Sequence, residues 1–370
     1  MSFTTILFIV FAVIVSIQVI YYLSFLFSFS IKREDTYLKK HIPVSVIICA
    51  KNEAQNIKKN LPFIISQAYS NFEIVLVNDS SSDETLEVMK EFEAKHNRIK
   101  IVDVKTNEAF WGNKKYALTL GIKASSHDFL VFTDADCRPI SNQWLAHVSS
   151  KFSNQKAIVL GYGAYAKKRL SLLNQLIRYE TVMTALQYFS YANLGIPYMG
   201  VGRNLAYRKG LFFYNNGFNG HMAIKSGDDD LFINEVAHAQ NTAICVSKES
   251  FTESEPKKTF KDWILQKRRH ISTSRLYKTK HKILLGLFYT SQLLFWVLGI
   301  LLLTLGDHWQ LLTVLISLRF VIQLFSFGLA AKKLEDTNLV LISPFLELFL
   351  ITTQLSIFSA NLIATPKHWK

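Results

Sequence analysis

DFLVFTDAD occupies residues 128–136. Leu130, Val131 and Phe132 suit a buried strand, yet the run stops at Thr133 and then sets down two carboxylates, Asp134 and Asp136. Two acids one residue apart are common in loops that merely face water, so the stretch has to be read with its neighbours. Three other short runs share its form: PVSVIICA (43–50), FEIVLVND (72–79) and RIKIVDV (98–104). All are rich in Val and Ile, and the segments between them have helix-forming composition. Strands alternating with helices predict βαβ units and a mostly parallel sheet, an α/β fold. In such sheets ligands collect at the carboxyl ends of the strands. Three of the four runs end there in polar or acidic residues: Lys51-Asn52-Glu53, Asn78-Asp79 and Asp134-Ala135-Asp136. Acids converging on one rim repel each other unless a cation or a donor-rich ligand offsets the charge. No Gly-rich loop follows the first strand, which disfavours P-loop and dinucleotide-binding folds.

The chain has 370 residues, 49% of them hydrophobic, and a net charge of +14. That charge predicts an anionic partner: nucleic acid, a phosphorylated substrate or anionic lipid. Three cysteines without a CxxC pair suggest neither a zinc site nor a disulfide framework. Cys49 and Cys245 sit in apolar runs and read as buried thiols in a reducing compartment. Residues 6–29 carry no charge and are long enough to cross ~30 Å of hydrocarbon as a helix. No basic region precedes them and no small-residue cleavage site follows, so a membrane helix is preferred over a signal peptide. Lys32, Arg33, Lys39 and Lys40 place its C-terminal side in the cytoplasm. Three further spans are expected at 283–305, 309–331 and 339–360, which puts the far end of the chain outside. Arg319 and Glu347 lie inside the last two. An unpaired charge at such depth costs at least ~2.5 kcal/mol, and the two depths nearly coincide, so a pair between them is expected.

A divalent cation resolves the acid-rich rim. Mg2+ or Mn2+ takes one or two carboxylates and completes its shell with substrate phosphates. A sugar nucleotide supplies those phosphates and an anionic leaving group. At this point seven stretches fall in a telling order: VSVIICAKNEAQNI, IVLVNDSSSDET, NKKYAL, TDAD, GVGRNLAYRK, SGDDDLFIN and QKRRH. Over about residues 40–280 the chain resembles the family 2 glycosyltransferases, in a membrane-bound, inverting form with a GT-A catalytic domain. It departs from the family in three places. Cys49 stands where proline is frequent, Asn78 where a first aspartate is frequent, and His270 where a tryptophan usually closes the QxxRW motif.

The resemblance implies roles for particular residues. Ala50, Glu53 and Asp79 would meet the nucleoside of the donor. As structural alternatives, Glu53 would merely complement a helix N-terminus and Asp79 would cap the helix that begins in SSSDET. Lys114 would face the diphosphate or nucleoside, with Lys115 the competing register. Asp136 would ligate the metal, with Asp134 beside it or near the ribose. Asp229, or Asp228 if the register slips by one, would be the base that takes the acceptor hydroxyl proton. Arg269 and Gln266 would hold the pyrophosphate, a guanidinium being able to bind two oxygens at once. Gly202, Arg203, Asn204 and His270 would lie on the acceptor side. The basic segment 256–282 also suits anionic lipid, with Trp263, Ile264 and Ile271 at the interface. The aromatic stretch 178–200 reads as an interfacial helix or as plain core.

The expected organisation is a membrane helix at 1–30, a Rossmann-like GT-A domain at 40–255, the basic QxxRH segment at 256–282 and three membrane helices at 283–365. The expected function is metal-dependent transfer of a hexose from a UDP- or GDP-sugar to a lipid-linked or saccharide acceptor. It would take place at the cytoplasmic face of the inner cell membrane. Partners are the nucleotide-sugar, the acceptor and membrane lipid; nucleic acid is not expected, and oligomerisation is left open. A processive polysaccharide synthase is the alternative within the class. A transporter or receptor with a cytoplasmic module is the alternative outside it.

Overall fold

The computed structural model describes residues 2–30, 42–105, 114–224 and 226–363. Lys32, Arg33, Lys39 and Lys40, which the topology expectation uses, lie outside the described residues. The chain divides into two units. A sheet unit holds the described residues of 42–168 and 191–257, and a helical unit those of 2–30, 169–190 and 258–363.

In the sheet unit the four expected strands are present as β1 (Val44–Ala50), β2 (Phe72–Asp79), β3 (Ile99–Val104) and β4 (Phe129–Phe132). They are parallel in the order β3-β2-β1-β4. Between them run α2 (Ala54–Ile65), α3 (Thr85–Lys95) and α4 (Lys114–Ala124); α1 is the first membrane-length helix, given below. β5 (Cys137–Pro139), β6 (Ile158–Leu160), β7 (Gly163–Tyr165), β8 (Leu205–Arg208), β9 (Thr242–Ile244) and β10 (Thr252–Ser254) complete the strands, with α5 (Trp144–Ser150), α7 (Lys209–Tyr214) and α8 (Asp230–Val236) as the helices. β8 pairs antiparallel with β4 and β6, so the seven-stranded sheet reads β3-β2-β1-β4-β8-β6-β9. A second sheet has the order β5-β10-β7.

Burial on both faces explains the continuous apolar runs. β1 and β2 are almost wholly buried, and Ile57, Leu61 and Ile64 of α2 with Val88 and Met89 of α3 close one side of the core. On the other side α4 comes close to β2 at Gly121: a Cβ there would meet Val77 Cγ2 at 2.6 Å. β1 leads to β2 and β3 on one hand, and the chain then returns to add β4 on the other. The crevice between β1 and β4 is therefore a topological switch point.

The helical unit contains α1 (Phe3–Ser30), most of α6 (Leu172–Asn193), α9 (Phe260–Ser274), α10 (Thr279–Leu305), α11 (Trp309–Lys333) and α12 (Ser343–Ile363). Among the described residues α1, α10, α11 and α12 are long and apolar enough to cross a membrane. α1 and α10 are antiparallel: Gln18 meets Ser291, Tyr21 meets Leu284, and Phe11 stacks on Phe295. α11 runs parallel to α1, and Lys333 donates to the Phe29 carbonyl. The stretch 178–190 is core of this unit: Arg178 pairs with Asp336, Tyr179 packs on Phe327, and Phe189 packs on Phe29. Trp263 is buried in the protein and does not lie at an interface.

The expected Arg319–Glu347 pair is present. Arg319 Nη2 lies 2.6 Å from Glu347 Oε1, and both side chains are buried. Gln18, Tyr22, Gln323 and Trp296 complete the cluster, Trp296 Nε1 donating to Glu347 Oε1 at 3.0 Å.

Candidate active site

β4 ends at Phe132, and the chain turns at once, the Cys137 N–H donating to the Asp134 carbonyl at 3.0 Å. Ala135 is buried, and its carbonyl accepts from Asn60 Nδ2 at 2.9 Å. That anchor turns the acids on either side of it toward the rim, Asp134 half-buried and Asp136 exposed. Carboxylate oxygens of Asp134 and Asp136 and the Cys137 sulfur all lie within 4.8 Å of one another. Crowding of its surroundings and the charge of Asp134 hold Asp136 above the ordinary carboxylate pKa. Two acids so placed suit a hard divalent cation, which would relieve their repulsion.

Lys114 opens α4 and reaches across the mouth of the crevice. Its Nζ lies 3.0 Å from Asp134 Oδ1 and 3.0 Å from Asp228 Oδ2. Burial works against its charge, but Asp134 and Asp228 outweigh it and hold its pKa well above the ordinary lysine value. Lys115 turns elsewhere, donating to the carbonyls of His221 and Ile224 at 2.7 and 3.0 Å. Burial lowers its pKa to about 8.

Gly227, at φ +90°, lets the chain enter the acid run 228–230 by a turn that a residue with a Cβ would strain. Asp229 then caps α8, its Oδ1 accepting from the Asp230 N–H at 2.7 Å. Its Oδ2 accepts from the Gly202 N–H at 2.7 Å. Desolvation, with Asp228 and Asp230 adding negative charge, raises its pKa to about 7. The two candidate acids thus differ in their surroundings: Asp228 is ion-paired to Lys114, while Asp229 has backbone N–H partners and a pKa pushed up to about 7.

Several of these groups line one cleft, with Asp136 outside its lining. Lys114, Asp134, Gly202, Asp228 and Asp229 come together there with Ile47, Cys49, Thr133 and Tyr207. Ile47, Thr133 and Tyr207 were not expected at the site, and Cys49 was expected only as a buried thiol. The signal was period two: Ile47 and Cys49 on β1, and Leu205 and Tyr207 on β8, share a strand face. Cys49 is only half-buried, because that face looks into the cleft and not into core.

The remaining expected residues fall as follows. Ala50 is the buried last residue of β1. Asp79 ends β2, buried, and burial raises its pKa. It does not cap α3; Asp83 does that work, accepting from the Thr85 N–H at 3.1 Å. Glu53 is the cap residue of α2 without a side-chain capping bond; it accepts from Asn56 Nδ2 instead. Arg203 donates to the Ala164 carbonyl at 3.0 Å and to Ser254 Oγ at 2.9 Å, lying over the Tyr165 ring. Asn204 is buried and ties Tyr162, Ser250 and Trp144 together, so its amide is engaged in holding β8 against its neighbours. Gln266, Arg269 and His270 belong to the helical unit, on α9. In that helix Lys267 pairs with Glu180 at 2.7 Å, and Arg268 bonds Asn361.

With this geometry in place, residues 45–212 match the profile of Glycosyl transferase family 2. That segment of the chain is similar to the members of that family. Its fold is GT-A: a mannosyltransferase from Pyrobaculum calidifontis, solved with GDP-Man and Mn2+, superimposes with a TM-score of 0.61 over 90% of this chain and 99% of its own, at 18% identity. A poly-beta-1,6-N-acetyl-D-glucosamine synthase of Staphylococcus epidermidis is 34% identical over 93 residues, 25% of this chain and 21% of its own. The glycosyltransferase AglE of Haloferax volcanii is 34% identical over 120 residues, 32% of this chain and 38% of its own. The chain thus spans well under half the length of these curated relatives.

Proposed function

We propose that this protein is an inverting, metal-dependent glycosyltransferase that moves a sugar from a nucleotide-sugar to a lipid-linked or saccharide acceptor. The observation that carries the reading is the division of labour around the cleft at the switch point. Asp134 and Asp136 are disposed for a cation, Lys114 bridges two acids, and Asp229 stands apart with a pKa of about 7. Asp134 and Asp136 would hold Mg2+ or Mn2+, which when bound neutralises charge on the leaving diphosphate. Asp79 and Glu53 are offered to the nucleoside. No protein donor reaches the Asp79 carboxylate among the described residues, which suits a ligand N–H or hydroxyl. Lys114 keeps its charge and helps hold the anionic donor. Asp229 takes the acceptor hydroxyl proton; a base with pKa near the working pH is deprotonated often enough and basic enough to act. Asp228 is held in an ion pair by Lys114, which favours the first of the two registers. Arg269 and Gln266 are proposed for the pyrophosphate, and Gly202, Arg203 and His270 for the acceptor side.

The protein is proposed to lie in the cell membrane with the sheet unit in the cytoplasm. α1 and α11 end at one face of the helical unit, where Lys332 and Lys333 fit the cytoplasmic side. Purified protein should hydrolyse or transfer from one UDP- or GDP-sugar, should be stabilised thermally by that donor with Mn2+, and should lose both on chelation. Stabilisation by no nucleotide-sugar across a broad panel, with no turnover, would sink the enzyme reading and leave a transporter or receptor module.

A further inference from the structure

By length and composition α12 is a fourth span, because 21 residues rise ~30 Å as a helix. Its contacts run the wrong way for one. α1, α10 and α11 define two ends. At one end Phe8 meets His308; at the other Phe29 meets Lys333, and α10 begins directly after α9. A fourth span starting after α11 would climb from the Lys333 end toward the His308 end. Val340 does begin that climb, beside Gly328, and Glu347 reaches Arg319 and Trp296. Along α12 the direction is reversed. The Ile351 carbonyl accepts from Tyr289 and Phe358 packs on the same tyrosine, which lies two turns of α10 back toward the Lys333 end. Asn361, 14 residues beyond Glu347, exchanges hydrogen bonds with Arg268 of α9, and Phe349 packs on Phe260 of α9. The apolar cluster at the far end, Phe11, Ile14, Val15, Phe295, Leu302 and Leu312, draws on α1, α10 and α11 without α12.

We propose that α12 does not cross the bilayer. The chain climbs and reverses in the turn before α12, at about the depth of Glu347, and the continuous helix then runs back to the face at which α9 lies, where with α9 it forms a platform seated in that leaflet. The partner is the leaflet itself. Phe345 (77%), Leu341 (84%) and Ile363 (88%) stand exposed on α12 and the turn before it, suited to acyl chains. Exposed Lys258, Lys261, Arg275 and Lys278 flank them on and around α9, suited to anionic headgroups. The Glu347 carboxylate explains the climb: Arg319 is fixed in α11 at that depth, and the chain must bring its partner there before returning. Three spans then leave residue 363 on the same side as Lys333, whereas four would place it opposite.

Single cysteines read by a membrane-impermeant maleimide on intact cells test this. Asp307→Cys, in the α10–α11 loop, should label in intact cells, and Lys332→Cys only after permeabilisation. Ile363→Cys should behave as Lys332→Cys does. Labelling of Ile363→Cys in intact cells overturns the proposal. A second measurement does not depend on thiol reagents: Arg268→Cys with Asn361→Cys should join by oxidation in native membranes, read as linked fragments after cleavage between α10 and α11. A span ending across the bilayer cannot form that bond, so its absence in folded, active protein also overturns the proposal.

Discussion

Two of the protein's clusters of cation and carboxylate, one in each unit, are finished differently. In the helical unit, Glu347 has Arg319, Gln323, Tyr22 and Trp296 on its two oxygens, so both carboxylate oxygens are taken, and of the guanidinium only Nε is left without a hydrogen-bond partner among the described residues. In the sheet unit, Lys114 is shared between Asp134 and Asp228, Asp136 faces solvent, and among the described residues Asp229 accepts from two backbone N–H groups while like charge surrounds it. A closed network satisfies its own charges and specifies packing. An open one stores repulsion that a ligand can relieve, and perturbed acids in a cleft mark a site for chemistry. Residue types are nearly the same in both; what differs is whether the carboxylates are left with unused capacity.

Four substitutions press on that contrast. Asp229→Asn should have the largest effect, lowering transfer by about 10²–10⁴-fold while donor affinity stays. In the parent protein, activity should rise with pH through about 7 as the base deprotonates, and the variant should lack that limb. Its stability should move the other way. The folded state keeps a proton on Asp229 up to about 7 that the unfolded state gives up near its ordinary 3.8, so the acid costs stability progressively as pH rises through that window. Asp229→Asn should therefore melt higher than the parent at pH 8. A variant that melts lower would place Asp229 among the closed, structural groups. If Asp228→Asn instead shows selective loss of transfer, the base is one residue earlier.

Glu347→Ala comes next. It leaves the Arg319 guanidinium buried without its carboxylate, and breaking such a pair costs ~3–5 kcal/mol. The yield of folded protein in detergent should collapse, and swapping the pair (Arg319→Glu with Glu347→Arg) should recover part of what each single reversal loses. Full activity from a well-folded Glu347→Ala protein would mean that the cluster carries little stability. Asp136→Asn should leave folding intact and lower turnover on the order of 10²–10³-fold, as for loss of one electrostatic stabiliser, with weaker donor binding in Mn2+. Equal donor affinity in variant and parent would remove the cation from this rim. The smallest effect belongs to Thr259, which caps α9 through a 3.1 Å bond from the Asp262 N–H. Thr259→Ala should cost ~1 kcal/mol, visible as a lower melting temperature with the site chemistry unchanged.

The order of the elements and the identity of the acid-bearing rim were present in the sequence. Short Val/Ile runs bounded by polar residues favour buried strands, and a parallel sheet sends their carboxyl ends to one edge, so the placing of Asp79, Asp134 and Asp136 on that rim follows from sequence. The Arg319–Glu347 pair was likewise legible, since a charge in hydrocarbon demands a partner at its own depth. Tertiary structure decided what adjacency in sequence leaves open. Lys114 and Lys115 point about 100° apart on a helix, and only the packing of α4 against β2 settles which one enters the cleft. Asp228 and Asp229 differ by one residue in a turn, and the Gly202 N–H and the Lys114 ammonium, far away in the chain, separate an ion-paired acid from one with backbone N–H partners. Period two marks a strand face, but whether Cys49 looks into core or cleft depends on what the neighbouring strands leave uncovered. The path of α12 is the same lesson at larger scale. Length and hydropathy are properties of a segment by itself, whereas direction through the helical unit is set by its partners, Glu347 held by Arg319 at one end and Asn361 by Arg268 at the other.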